Sequence, residues 1–177
     1  IEHAQIIHRD DIPRFAKMKV IASMQGIHCT SDMAWVPTRI GKQRAKEGAY
    51  PWKTLTDSGA LVVNGSDTPV EPVNPLLGYY ATVTRMDRKG APEGGWLPEQ
   101  KLTRVEALAT YTKNAAIASF REKDLGTIAL GKRADVVVLS KNIFQIKAAK
   151  ILETKVDMTI VNGAVVFDRL NEKNVNM

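Results

Sequence analysis

Short apolar runs alternate with stretches of helical periodicity along the first 120 residues of the chain. Residues 1–7, 20–25 and 60–63 are apolar runs with the length and composition of buried parallel strands. Patterns typical of helices follow them over residues 10–18, 40–58 and 73–86. Strand, loop and helix repeated three times predict a parallel α/β fold.

Local signals support individual helices and one loop in this pattern. Pro13 stands near the start of the helix predicted over residues 10–18, where its missing N–H has no helical partner to lose. Thr103 followed by Glu106 predicts a capping box at the start of a long helix over residues 103–120. Gly26 closes the second apolar run, and a polar loop is expected from there through Asp32.

The pattern changes after Gly126, where short β-type runs replace the helices. Residues 135–140, 158–161 and 164–167 are predicted strands, and Asn162-Gly163 between the last two strongly favours a tight hairpin turn. The chain is therefore divided into residues 1–123, of parallel α/β type, and residues 124–177, of antiparallel β type. The polar tail, residues 171–177, is expected to fray.

Composition narrows the class of protein. With 177 residues, 44% of them hydrophobic, the chain suits one globular domain or one and a part. It has no apolar run near the roughly 18 residues of a membrane span and no signal peptide, so we expect a soluble cytoplasmic protein without a membrane partner. The net charge is +6, but the basic residues are scattered and only 6% of residues are aromatic, which argues against nucleic acid as a partner. Cys29 is the only cysteine, which excludes a disulfide within the chain and a cysteine-rich zinc site.

Three polar residues stand at or just beyond the predicted parallel strands: His3, His28 and Asp67. Because the carboxyl ends of such strands share one rim, two imidazoles and a carboxylate there suit a metal site or acid–base catalysis. Spacing alone leaves a plainer alternative open, in which His3 is a core residue, His28 a loop residue and Asp67 a turn cap. His8 is followed by charged residues and is expected in a surface loop.

Several strings of residues, taken in order, carry a resemblance to a known family. They are Ile1-Glu-His-Ala-Gln5, Asp11-Ile-Pro-Arg-Phe-Ala16, Ser23-Met-Gln25, Ser31-Asp32-Met33, Gly65-Ser-Asp67, Pro69-Val-Glu-Pro72, Asn74-Pro-Leu-Leu-Gly78 and Ala134-Asp-Val-Val-Val-Leu139. Over about residues 1–168 the chain resembles the C-terminal part of the metal-dependent amidohydrolases, in particular the YtcJ-like or amidohydrolase 3 group.

The resemblance implies a partial (β/α)8 barrel of the TIM type, made of its last three βα units, followed by the C-terminal antiparallel β segment of a composite β-sandwich. By this resemblance His3 is a metal ligand on the sixth strand. Asp67 is the eighth-strand aspartate, a further metal ligand, which bonds the metal-bound water and takes its proton. His28, at the seventh strand, faces the substrate and polarises or orients the scissile carbonyl.

The implied cofactor is a divalent metal, zinc by preference, because neutral imidazole and carboxylate suit that ion. The implied reaction is hydrolysis of a non-peptide carbon–nitrogen bond in a small amide or N-substituted formamide.

Departures from the family pattern modify this expectation. The chain has no His-x-His and no fifth-strand histidine, so we expect the C-terminal fragment of a longer enzyme, inactive alone. Its open strand edges would be covered by self-association or by the missing N-terminal part of the barrel. Gly26 stands where proline is common and is expected to loosen the loop that carries His28. Lys19 replaces the usual glycine at a helix end.

Two other interpretations stay open at this point. One is a non-catalytic partial-barrel module for assembly or binding, in which the three polar residues are relics. The other is a phosphate-binding barrel that uses Asn64-Gly-Ser66, although no glycine-rich motif of the required form follows a strand.

Overall fold

The computed structural model describes residues 1–171 and is an α/β structure with two sheets. The strands are β1 (Ala22–Gln25), β2 (Val62–Gly65), β3 (Val136–Leu139), β4 (Val156–Val161) and β5 (Ala164–Asp168). The α-helices are α1 (Ile12–Lys17), α2 (Gly26–Asp32), α3 (Val36–Ile40), α4 (Lys42–Gly48), α5 (Trp52–Asp57), α6 (Pro75–Thr84), α7 (Arg104–Tyr111) and α8 (Lys113–Ala118). Short 3-10 helices cover Pro98–Gln100 and Ala148–Glu153. None of the helices within residues 1–171 is long and apolar enough to cross a membrane.

β1 and β2 pair in parallel, as the sequence predicts, with Ala22 opposite Val62 and Gln25 opposite Gly65. Most of their residues are buried, which accounts for the apolar runs in the sequence. Helices α7 and α8 cover β2, and Asn114 of α8 donates a 2.9 Å hydrogen bond to the Val62 carbonyl. The carboxyl ends of both strands therefore lie at the same edge of the sheet.

The segment predicted as a first strand, residues 1–7, does not form one. Glu2 makes a single parallel bridge to Ser23 of β1, and the backbone then leaves the sheet. His3 and Ala4 have φ angles of 66° and 39°, in the left-handed region, which a strand cannot accommodate. The start of the chain still lies beside β1, because the Ser23 amide donates a 3.0 Å hydrogen bond to the Ile1 carbonyl.

Helical structure between the strands is more extensive than the sequence predicts. Residues 26–32 form α2 and not a polar loop, because one face of this segment, including Gly26 and Cys29, is buried. The single helix candidate in residues 40–58 is divided into α4 and α5. The capping box of Thr103 and Glu106 is confirmed, but the long helix that it starts is broken into α7 and α8 at Thr112, whose φ and ψ are −125° and −91°.

The C-terminal strands form a separate antiparallel sheet in the order β3, β4, β5. Asn162 and Gly163 make the predicted hairpin turn, with φ angles of 50° and 83°. Between β3 and β4 the chain returns to the main core, where Ile143 and Ile151 are buried in the same cluster as residues of β1. Residues on both sides of the predicted boundary after residue 123 thus share one core. Apart from Asn171, the tail predicted to fray lies outside the described residues.

Helices α2 and α6 approach each other at two glycines. A Cβ atom on Gly26 would lie 2.4 Å from the carbonyl oxygen of Gly78 and 2.6 Å from Oγ1 of Thr82. Gly26 therefore permits close packing at the start of α2. The expectation that this glycine loosens the segment carrying His28 is wrong, because the segment is a helix held against α6.

Lys19, which stands where the family usually has glycine, adopts a backbone conformation that favours glycine. Its φ of 54° is left-handed, and the amides of Lys19 and Val20 donate hydrogen bonds to the carbonyls of Ala16 and Phe15. This is the Schellman ending of α1, a position where glycine carries no steric cost.

Replacing Gly26 by alanine is expected to destabilise the fold by about 1–3 kcal/mol, because the added methyl group must force two helix backbones apart. Urea unfolding followed by tryptophan fluorescence measures the change, since Trp52 is fully buried. Gly65→Ala is the matched control, because nothing lies within 4 Å of a Cβ atom there. We expect the control to shift stability by less than about 0.5 kcal/mol. Equal stability of the two variants would contradict the packing described for α2 and α6.

Candidate active site

Three residues from distant parts of the sequence meet at the carboxyl edge of the parallel sheet. His3, His28 and Asp67 each offer one donor atom, and these three atoms lie within 4.8 Å of one another. The His28 Nε2 atom is 3.7 Å from Oδ2 of Asp67, and the His3 Nδ1 atom is 3.9 Å from the same oxygen. The two imidazole centroids are 5.9 Å apart. The structure thus brings together the three residues that the sequence singles out.

Each of these residues is placed by the element that precedes it. His28 lies in the first turn of α2, which follows β1 without a connecting residue. Asp67 comes two residues after the end of β2, and its φ of 57° turns the chain sharply at that point. His3 follows the bridge between Glu2 and Ser23 and also has a left-handed φ, of 66°. Backbone strain of this kind is concentrated at functional sites in proteins.

The site has one buried wall and an open mouth. The His28 side chain is 8% exposed, whereas those of His3 and Asp67 are 47% and 35% exposed. Within residues 1–171, the buried Nε2 atom of His28 has no hydrogen-bond partner. A buried polar atom without a partner is unusual, so this nitrogen is available to a ligand that enters from the mouth.

Two amide side chains contact the imidazoles. Oε1 of Gln25 lies 3.0 Å from Nδ1 of His3, and Nε2 of Gln5 lies 3.0 Å from Nδ1 of His28. Gln25 is buried, and its Nε2 donates a 2.7 Å hydrogen bond to the Glu2 carboxylate. Both imidazoles are therefore held at one nitrogen.

Glu2 completes the network behind His3. Burial raises the pKa of this carboxyl group, but hydrogen bonds from Ser23 and Gln25 outweigh that effect and leave the pKa below its ordinary value. Glu2 is thus a carboxylate at neutral pH and a firm acceptor for the Gln25 amide.

Sequence reasoning missed Glu2, Gln5 and Gln25 as parts of this site. Glu2 and Gln5 lie in the string that contains His3, and Gln25 lies three residues before His28, so their proximity to the site was a signal, whereas the atoms they present to the imidazoles were not.

Two other predictions for polar residues are decided by the structure. His8 lies in an exposed turn, where its ring accepts a hydrogen bond from the Asp10 amide, as expected of a surface residue. Asn64, the first residue of the considered phosphate-binding segment, donates through its side chain to Thr110 of α7. It is engaged with the helix layer and does not support a phosphate cradle.

The donor set suits a divalent cation such as zinc. Neutral imidazole nitrogen and carboxylate oxygen are common zinc ligands, and catalytic zinc sites take three protein ligands and leave a further position open. In the described part of the chain, His3, His28 and Asp67 are the one group of three or more such residues close enough to hold an ion. The residues present therefore fit part of a metal centre.

Two imidazoles and a carboxylate thus meet at the carboxyl edge of the parallel sheet of an α/β structure. The chain belongs to the amidohydrolase family, whose sequence model, described as "Amidohydrolase family", matches residues 1–167.

Individual relatives agree with this assignment. The Bacillus subtilis protein named "Putative amidohydrolase YtcJ" is 36% identical over 167 residues, which are 94% of this chain and 31% of that protein. The N-substituted formamide deformylase of Arthrobacter pascens is 32% identical over 120 residues, 68% of this chain and 22% of that protein. The crystal structure of an uncharacterized metal-dependent hydrolase from Pyrococcus horikoshii OT3 matches with a TM-score of 0.73 and 32% identity, covering 84% of this chain and 30% of the other. The chain thus spans about a third or less of the length of these relatives.

Cys29 is next to His28 in the sequence but takes no part in the site. It is fully buried, and burial raises the pKa of its thiol to about 12. We expect no reaction of the folded chain with a disulfide reagent such as DTNB at pH 8, and one equivalent of reaction per chain after unfolding in urea. The absorbance of the released thiolate measures both. Rapid labelling of the folded chain would contradict the burial of this residue.

Proposed function

We propose that this chain forms the C-terminal part of the catalytic centre of a metal-dependent hydrolase that cleaves non-peptide carbon–nitrogen bonds. The observation that carries the proposal is the convergence of His3, His28 and Asp67 donor atoms within 4.8 Å at one strand edge. In this proposal residues 1–123 correspond to the last three βα units of a (β/α)8 barrel, with residues 1–7 bridging to β1 at Glu2 in place of a full first strand. Residues 124–177 belong to a composite β-sandwich.

His3 and Asp67 are the residues of this chain that would hold the cation. A divalent metal such as zinc, when bound, lowers the pKa of coordinated water far below its bulk value, toward about 7. Asp67, a partly exposed carboxylate at the mouth, accepts the proton of the attacking water and passes it to the leaving nitrogen. His28 binds and polarises the scissile carbonyl through its Nε2 atom, which has no partner among residues 1–171 and lies 3.7 Å from Oδ2 of Asp67, beside the reacting groups.

The site in this chain is incomplete as a metal centre. The sequence contains three histidines and no His-x-His, so the remaining ligands must come from outside these residues. We propose that the N-terminal part of the barrel supplies them and that the chain alone is inactive.

An amide or N-substituted formamide is the substrate class that we propose. The support is the similarity to a relative named for deformylation of N-substituted formamides, together with a site that pairs a carbonyl-binding imidazole with a proton-transferring carboxylate. Such a pairing matches the needs of amide cleavage, in which an oxyanion develops and a poor nitrogen leaving group must be protonated.

Asp67→Asn in a protein that joins this chain to an N-terminal half carrying a His-x-His is expected to lower kcat by at least about 100-fold, because the amide cannot accept the proton. Formate release from an N-substituted formamide, with zinc supplied, measures the rate. His8→Asn is the matched control, since His8 lies in an exposed turn, and we expect it to leave the rate unchanged.

An Asp67→Asn enzyme with undiminished kcat would contradict the assigned proton transfer. Absence of hydrolysis in the joined protein, together with stable zinc-free folding, would favour the alternative of a non-catalytic assembly or binding module.

The C-terminal sheet has exposed apolar side chains, which support the proposal that another protein segment covers it. Val137 of β3 and Phe167 of β5 both lie opposite Thr159 of β4 and therefore share one face of the sheet, where they are 52% and 40% exposed. Clustered exposed apolar side chains mark surfaces that other protein segments cover. We propose that the N-terminal part of the longer protein covers this face, and that copies of the chain cover it for one another when that part is absent.

Light scattering coupled to size exclusion tests this pairing. At tens of micromolar, the chain alone is expected to elute as dimers or larger species, because the exposed sheet face favours association. Val137→Lys with Phe167→Lys on this face should shift the population toward monomer, whereas Lys17→Glu on α1 should not. A monodisperse monomer of the unmodified chain would contradict the proposal.

A further inference from the structure

The two glutamines that contact the site imidazoles differ in the atom they present. Gln25 presents its amide oxygen to Nδ1 of His3, at 3.0 Å, and Gln5 presents its amide nitrogen to Nδ1 of His28, also at 3.0 Å. An amide oxygen only accepts hydrogen bonds and an amide nitrogen only donates them. The two contacts therefore demand opposite protonation of the two rings.

The orientation of Gln25 is fixed by its other end. Its Nε2 atom donates to the Glu2 carboxylate at 2.7 Å, and the hydroxyl of Ser23 donates to the same carboxylate oxygen at 2.9 Å. A reversed amide would place two oxygens against each other, so the Gln25 oxygen must face His3. The His3 ring then carries its proton on Nδ1 and has its lone pair on Nε2.

Gln5 acts on His28 in the opposite sense. Its backbone is held by a 2.7 Å hydrogen bond from the Tyr50 amide to the Gln5 carbonyl, which keeps the side chain beside α2. A proton donated by the Gln5 amide occupies the lone pair of His28 Nδ1. The ring proton of neutral His28 then sits on Nε2, the buried atom that has no partner within residues 1–171 and lies 3.7 Å from Asp67.

We propose that Gln5 and Gln25 are positioning residues that set opposite neutral tautomers on the two site histidines. Gln25, anchored by Glu2, keeps the His3 proton on Nδ1, the nitrogen 3.9 Å from Asp67, and leaves Nε2 as the nitrogen whose lone pair is open to a cation. Gln5 makes His28 an N–H donor suited to a carbonyl oxygen and unsuited to a metal. Two adjacent imidazoles, with centroids 5.9 Å apart, are thereby given different chemistry by their amide neighbours.

The assignment of His3 to a cation and of His28 to a carbonyl oxygen rests on the proposed function. The assignment of the two tautomers does not rest on it. A ligand histidine and a carbonyl-binding histidine in one site must not exchange roles, because a second neutral lone pair would draw the cation toward His28. With its proton on Nε2, His28 would offer no lone pair to a bound cation and would be left to the substrate oxygen.

Nitrogen NMR of the chain labelled with 15N-histidine reads the tautomers directly. The chain has only three histidines, and the His8→Gln variant assigns the exposed one. At a pH of about 8.5, where imidazole is neutral, protonated and unprotonated ring nitrogens have widely separated shifts. We expect a protonated Nδ1 on His3 and a protonated Nε2 on His28. The same tautomer on both rings, or rapid averaging on His28, would overturn the proposal.

The measurement does not depend on the oligomeric state. If the chain associates, the same pattern is read from the associated form by magic-angle-spinning NMR.

One substitution made at each glutamine gives the matched pair of variants. In Gln5→Glu the carboxylate accepts a proton from Nδ1, so the His28 pattern should invert while that of His3 stays unchanged. In Gln25→Met the acceptor at Nδ1 of His3 is removed, so the His3 ring should show a mixture of both tautomers while the His28 pattern stays unchanged. An unchanged His28 pattern in Gln5→Glu would overturn the proposal.

A variant without a new charge covers the case in which Gln5→Glu does not fold. Gln5→Met removes the donor and is expected to give a mixture of both His28 tautomers. A single Nε2 proton in that variant would show that the amide has no such role. These outcomes are separable from hydrolysis: correct tautomers in a protein that hydrolyses nothing would end the proposed function, and a shared tautomer in an active enzyme would end only this inference.

Discussion

The parallel pairing of β1 with β2 is the constraint on which the site depends. Residues 3, 28 and 67 have no local reason to meet, since about 25 and 39 residues separate them along the chain. Parallel strands lie about 4.8 Å apart, so the residues that follow their carboxyl ends come within contact distance. The bridge from Glu2 to Ser23 adds the third member on the other side of β1. The site is thus a product of sheet register, and a slip of one residue would turn the side chains to the opposite face.

The backbone is strained at and beside the site residues. His3, Ala4 and Asp67 adopt left-handed φ angles without being glycine, and each such residue costs on the order of 1–3 kcal/mol. The buried Nε2 atom of His28 adds the cost of an unsatisfied polar group. Packing elsewhere offsets these costs, above all the close contact of α2 with α6 and the core around Trp52. Packing of the surrounding elements therefore holds the site residues in conformations that they would not favour by themselves.

The sequence predicts the elements whose signals are local. The capping box at Thr103, the hairpin turn at Asn162-Gly163 and the buried strands β1 and β2 are all confirmed. Prediction from the sequence fails where tertiary contacts determine the local structure. Residues 1–7 have the composition of a strand, but the backbone leaves the sheet at His3. Residues 26–32 have the composition of a polar loop, but they form a helix that packs against α6. The convergence of His3, His28 and Asp67 was predictable because strand order fixes which ends are neighbours. The amides of Gln5 and Gln25 were not, because which end of an amide faces a ring depends on partners, such as Glu2, that only the folded chain brings together.

Zinc anomalous diffraction from crystals of a protein that joins this chain to an N-terminal half carrying a His-x-His tests the central claim most directly. We expect one zinc ion with a His3 nitrogen at about 2.0–2.1 Å and an Asp67 oxygen within about 2.2 Å, with His28 beyond bonding distance of the metal. Zinc bound at residues remote from His3 and Asp67, in a crystal where β1 and β2 are paired as described, would contradict it.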